Sequence, residues 1–231
     1  MKKSRLFRLS VIMILIHLLV LSNGSGSLIH VGIMSTQGNI IKDGLISADE
    51  YDFVIPLHNR FTLYWTIAGE TIFIAIAAET TGWVGIGFGA SDRMLAGDII
   101  MGYVTEGNVT IQDQYSQQET GVTSSDVSLG GTNGILSYNG SEINGNTTLE
   151  FSRLLGTGDE YDNPILTTEK TNTIWAIGSK DDFTSFHVSS GTYEIDYGKG
   201  EFDKVSSLTP LSMIAGLCLL AIILRKKGIR R

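Results

Sequence analysis

Between residues 61 and 177 no segment holds a helical period over three turns; short apolar alternations follow one another, each ended by a turn signal. A side-chain period of two is the mark of a half-buried strand. Thr62–Ile67 puts Leu63, Trp65 and Ile67 on one face. Thr71–Ala78 is apolar throughout, as a strand covered on both faces is. Trp83–Phe88 alternates glycine with apolar residues, and Glu106-Gly107 between Asp98–Thr105 and Asn108–Tyr115 is a two-residue hairpin signal. Ile135–Tyr138, Thr147–Arg153 and Thr173–Ile177 complete the set, with long polar loops at Ser116–Gly131 and Gly156–Glu169. Short strands at this spacing predict a β-sandwich or barrel. The 27 glycines and 3 prolines among 231 residues agree with a turn-rich β protein.

The two ends read differently. Lys2, Lys3, Arg5 and Arg8 precede the apolar run Leu9–Leu21, and small residues follow. That is the pattern of a signal peptide over residues 1–26, with an uncleaved anchor as the alternative. The run 208–224 is uncharged, has Pro210 where a first helical turn tolerates it, and is followed by Arg225, Lys226, Lys227, Arg230 and Arg231. It predicts one transmembrane helix with a basic cytoplasmic tail at 225–231, reached by a short stalk at 199–207. The expected location is the cell membrane, single-pass, with the β domain outside. All 24 acidic residues lie between the terminal runs, against eight of the 17 basic ones. So acidic a domain repels phosphate backbones, which excludes nucleic acid as a partner. The only cysteine, Cys218, lies in the C-terminal run, so the outer domain has no disulfide, zinc ribbon or covalent c-type haem.

Signals for catalysis are thin. No Gly-x-Ser-x-Gly occurs, the histidines are scattered, and Gly85-Ile-Gly87-Phe-Gly89 sits in a strand context rather than before a helix. The chain therefore reads as a non-enzyme. Two residues stand out by their surroundings. Met94 places a soft thioether in the polar loop Gly89–Asp98, and His187 lies close to Phe183 and Phe186. Thioether and imidazole form one axial pair for haem iron. Equally, a loop methionine fills gaps, and a histidine between Phe and Val is commonly a packed side chain.

The stretch Phe61–Gly191 resembles the DOMON domain family. The resemblance is carried by Phe61-Thr-Leu-Tyr-Trp65, Thr81-Gly-Trp-Val-Gly-Ile-Gly-Phe88, Met94-Leu-Ala-Gly-Asp98-Ile-Ile-Met-Gly-Tyr103, Gly107-Asn-Val-Thr-Ile-Gln-Asp113-Gln-Tyr115, Phe151-Ser-Arg153 and Ile174-Trp175-Ala176, in the family's order. It implies an all-β, immunoglobulin-like sandwich of the DOMON type over residues 28–198, with a ligand pocket at one edge or end. Its members divide between haem b and sugars or other ligands. Met94 and His187 stand where the haem-binding members carry their iron ligands, and Trp83 and Phe88 become candidate walls for a porphyrin, with core packing as their alternative.

Two functions follow, beside a third reading as a purely structural surface domain with an empty pocket. The first is a membrane-anchored, outward-facing domain that binds haem b non-covalently and carries single electrons to or from a separate redox protein. The second is a carbohydrate-binding module for surface glycans, using rings among Trp65, Tyr103, Tyr115, Tyr138 and Trp175.

Overall fold

A computed structural model of the chain describes residues 40–205. The signal peptide expected at 1–26 and the membrane helix and tail expected at 208–231 lie outside the described residues. Among the described residues, no helix is long and apolar enough to cross a membrane.

The strands are β1 (Phe53–His58), β2 (Phe61–Ala68), β3 (Thr71–Ala78), β4 (Val84–Phe88), β5 (Asp98–Thr105), β6 (Asn108–Tyr115), β7 (Ser124–Ser125), β8 (Ile135–Ile143), β9 (Asn146–Leu154), β10 (Thr171–Ile177), β11 (Ser189–Asp196) and β12 (Glu201–Lys204). One short helix, α1 (Asp126–Leu129), interrupts the loop after β7. They form two sheets of antiparallel pairs, ordered β1-β2-β3-β9-β8 and β12-β11-β10-β4-β5-β6-β7. The all-β sandwich expected from the sequence is what forms. The β5–β6 turn has both Glu106 and Gly107 at positive φ, 52° and 78°, the geometry that matches the twist of a two-residue hairpin.

Alternation builds the core. Leu63 and Trp65, Ile72, Ile74 and Ile76, and Leu149 and Phe151 face inward from one sheet. Val84, Ile86 and Phe88, Ile100, Trp175 and Ile177, and Tyr193 and Ile195 meet them from the other. Fully burying one such side chain contributes about 1.5–3 kcal/mol. The polar atoms among them are matched: the Trp65 indole donates to the Tyr197 carbonyl at 2.9 Å. The second face of β3 is half-buried, with residues of the segment 40–52 lying over part of it and over the neighbouring β9. The Tyr51 hydroxyl donates to Glu150 at 2.7 Å, and Lys42 lies over the Phe73 ring.

Two expectations need correction. The stalk placed at 199–207 belongs to the sheet as far as Lys204, since β12 pairs with β11 from Asp196↔Glu201 to Tyr193↔Lys204. A four-residue charged edge strand has the composition of a linker, and sheets use such strands to blunt their edges. The loop at 116–131 contains β7 and α1.

Candidate functional site

β4 runs through the middle of the seven-stranded sheet, between β5 and β10. Val84, Ile86 and Phe88 point into the sandwich, so Gly85 and Gly87 occupy the outer face. In register beside them stand Met101 and Ile99 of β5, and Ala176 and Ile174 of β10. An antiparallel sheet with one solvated face would place polar residues here. These positions are apolar instead, and form a second cluster with Trp83, Met94, Tyr103 and Phe183. Apolar surface of this kind marks a place that something covers. The glycines keep its floor low. A methyl group on Gly87 would stand 2.8 Å from Ile174 Cγ1 and 2.9 Å from Ile99 Cγ1, forcing both side chains to move.

Three loops rise around this floor and enclose a cavity of about 510 Å³. They contribute Arg93 and Met94, then Glu119–Thr123, then Phe183–His187. A volume of this size is that of a small-molecule or cofactor site, which runs roughly 300–1,000 Å³.

The Met94 loop is tightly braced. Leu95 N–H donates to the Asp92 carbonyl at 2.8 Å and Gly97 N–H to the Met94 carbonyl at 2.9 Å. Arg93 and Ala96 are held at φ 50° and 57°, a region that costs a non-glycine residue about 1–3 kcal/mol and persists only where the surroundings enforce it. Here the enforcement is visible. The Asn163 side-chain amide donates to the carbonyls of Phe88 (3.0 Å) and Ala96 (2.7 Å), and Ser116 N–H donates to the Gly97 carbonyl at 3.0 Å. Met94 is half-buried as a result.

The His187 loop is clamped by Trp83. Its backbone N–H donates to the Lys180 carbonyl at 3.0 Å, and its indole N–H donates to the carbonyl and hydroxyl oxygens of Ser185, both at 3.2 Å. The Asp182 carboxylate accepts from the backbone N–H groups of Thr184 (2.8 Å) and Ser185. Those bonds hold its pKa below the ordinary aspartate value. Phe183 packs on Tyr103 with ring centroids 5.1 Å apart. His187 itself is exposed at the cavity mouth, beside Phe186, which is 82% exposed.

Met94, His187 and Trp83 thus line one cavity. Phe88 is not part of it. Its ring lies in the inter-sheet core, 6.0 Å from Tyr197 and beneath the Arg153 guanidinium. In β4 it shares the inward phase of Val84 and Ile86, so it packs the core while the glycines take the cavity face. The floor residues Ile99, Met101, Ile174 and Ala176 escaped the sequence reading. Their signal was present: in β5 and β10 the residues on both faces are apolar.

The rings considered for a sugar site do not assemble on one surface. Trp65 and Trp175 belong to the core, and Tyr138 is exposed on β8 in the other sheet.

The fold is a β-sandwich of two antiparallel sheets with an apolar cavity on the outer face of one of them. The chain belongs to the DOMON domain family, whose model matches residues 57–178, from the end of β1 to just beyond β10. It is 30% identical over 123 residues to DBH-like monooxygenase protein 1 of Mus musculus, a match covering 53% of this chain and 19% of that protein. It is 26% identical over 156 residues to Protein Skeletor, isoforms B/C, of Drosophila melanogaster, covering 60% of this chain and 20% of that protein. The matches thus span about a fifth of the length of either relative. Among solved structures, the cytochrome b domain of pyranose dehydrogenase from Coprinopsis cinerea superposes with a TM-score of 0.46 at 17% identity, over 61% of this chain and 78% of that one.

Proposed function

We propose that the cavity holds a non-covalent haem b and that the domain carries single electrons without turnover of its own. The observation behind this reading is that Met94 and His187, far apart in sequence, line the same apolar cavity. The donor chemistry fits: a soft thioether and an imidazole are an axial pair that raises a haem's reduction potential. The lining fits as well. Trp83, Ile99, Met101, Ile174 and Phe183 would exclude water from a flat apolar ring, and Gly85 and Gly87 leave it room. Arg93, the basic side chain at the rim beside Met94, offers a countercharge to ligand carboxylates. When bound, the haem would supply a reversible one-electron couple. The chain's own part is to fix two ligands on braced loops, since a loosely held pair would pay ordering entropy at each binding event.

The same proposal includes the expected topology: a signal peptide at 1–26, an anchor at 208–224, the sandwich outside and a separate redox protein as partner.

The test is the reduced-minus-oxidised absorption spectrum of the full chain purified under haem-sufficient conditions. Sharp α and Soret bands are expected, lost in His187→Ala and altered in Met94→Ala. A featureless spectrum that added haem does not change would sink the reading and turn the search to glycans.

A further inference from the structure

Between the sheets, on the opposite side of β5 from the cavity, four carboxylates meet where apolar residues would be expected. Asp98 opens β5, Asp113 lies on β6, Asp126 opens α1 and Asp162 sits in the loop after β9. Oxygens of Asp98, Asp113 and Asp162 all lie within 4.8 Å of one another. That is the separation of atoms sharing a central ion about 2.4 Å from each. Among the described residues one cation, Arg153, reaches them, with its guanidinium 2.6 Å from Asp98 Oδ2 and 3.8 Å from Asp162 Oδ2.

One guanidinium does not match four carboxylates, and the hydrogen bonds do not make up the difference. Asp98 Oδ2 also accepts from Asn163 N–H at 2.9 Å, and Asp113 Oδ2 accepts from Gly134 N–H at 2.6 Å. Beyond these, Asp98 Oδ1, Asp113 Oδ1 and both oxygens of Asp162 are buried without a hydrogen-bond donor among the described residues. Asp126 is a separate observation. It is 0% exposed and lies close to the other three, against the carboxyl of Asp162, and among the described residues no N–H or hydroxyl donor reaches either of its oxygens. Isolated buried carboxylates are costly, and native proteins leave few such groups unmatched. Burial, reinforced by mutual repulsion, pushes Asp98 up to about 7, Asp113 up to about 6 and Asp126 up to about 8.

We propose that Asp98, Asp113, Asp126 and Asp162 bind one divalent cation of the calcium class, and that this cation braces the turn that carries Met94. The donors are all oxygen, which selects a hard ion. Calcium accepts six to eight oxygens in irregular geometry, whereas magnesium demands a near-ideal octahedron. Six carboxylate oxygens lack a hydrogen-bond donor among the described residues and are available to it, one of them Asp162 Oδ2 at the outer reach of Arg153. The link to the cavity is one residue long. Asn163 donates its backbone N–H to Asp98, and its side-chain amide to Phe88 and Ala96, the two ends of the Met94 turn. The ion therefore fixes Asp98 and Asp162, and through Asn163 the strained turn. This holds whether or not the cavity takes haem.

The experiment uses the purified full chain, stripped with chelator and without haem, titrated calorimetrically with calcium chloride and then magnesium chloride. One tight calcium site is expected, with weaker magnesium binding and a melting midpoint raised by several degrees. Asp126→Asn keeps the side chain's size and removes one charge. It should weaken calcium binding by about tenfold or more and make the stripped protein more stable than the stripped parent. Backbone amides of residues 91–97 should exchange more slowly with calcium present. No binding heat and an unchanged midpoint at millimolar calcium would overturn the site. So would calcium binding that survives unaltered in both Asp126→Asn and Asp113→Asn. Equal exchange at 91–97 with and without the ion would overturn the bracing.

Discussion

The Trp83 indole donates to the Ser185 carbonyl oxygen at 3.2 Å, joining the strand that floors the cavity to the loop that presents His187. The ring also forms part of the cavity wall, so one side chain sets both floor and rim. Trp83→Phe removes the donor and keeps an aromatic ring. One net hydrogen bond is worth about 0.5–1.5 kcal/mol, so chemical denaturation should show a loss of about that size plus a packing contribution. The larger effect should be local. Hydrogen exchange at residues 184–187 should accelerate well beyond the global loss, and haem affinity should fall with it. Uniform acceleration over the whole chain would mean that the indole merely packs.

Gly87 tests the floor. A methyl there meets Ile174 and Ile99 at under 3 Å on the cavity face, so relief requires those side chains to rise into the cavity. Gly87→Ala should destabilise by about 1–3 kcal/mol, as overpacking does, and should weaken any cavity ligand further. A variant with normal ligand affinity would show that the ligand does not rest on this floor.

Much of this architecture can be read in the sequence. β2 alternates, β3 and β5 read as apolar runs, and Glu106-Gly107 fixes one hairpin. β11 and β12 were missed because Ser189–Asp196 and Glu201–Lys204 hold few apolar residues and lie towards a sheet edge, where burial does not impose a pattern. β8 extends beyond Tyr138 to Ile143 for a reason that was visible: Asn144-Gly145 is a favoured hairpin dipeptide, and both residues sit at positive φ. Met94 and His187 stood out by their surroundings and chemistry, but only the family resemblance paired them, because no local pattern links two residues on separate loops. Phe88 was read as a porphyrin wall or a core residue and proves to pack the core, which its phase in β4 already indicated, since the glycines alternate with it. The carboxylate cluster was invisible. Asp98, Asp113, Asp126 and Asp162 come from four segments and resemble solvated surface charges until the fold buries them together.

Arg153 tests the electrostatics of that interior. It is fully buried against Asp98 and lies over the Phe88 ring. Arg153→Met roughly preserves length and apolar contact and leaves the carboxylates without their cation. Removing one partner of a buried pair costs about 3–5 kcal/mol, and urea unfolding in chelator should show it. Adding Asp98→Asn should recover part of that loss, because the orphaned charge is then gone. A double variant no more stable than the single would place the cost in packing instead.

The last prediction concerns acid and the His187 loop. Asp182 accepts two backbone N–H groups, from Thr184 and Ser185, and the Thr184 hydroxyl. These bonds favour its charged form and lower its pKa. A carboxyl whose folded pKa is depressed contributes stability that is fully present above the unfolded value and lost as pH falls through the folded one. The turn should therefore be intact at neutral pH and open only below the ordinary carboxylate range. An NMR titration should give Asp182 a midpoint below the ordinary aspartate value. Asp182→Asn should abolish that depressed titration and loosen residues 184–187 even at neutral pH, because an amide oxygen is the weaker acceptor. An Asp182 midpoint at or above the ordinary aspartate value would mean the turn is held by its backbone alone.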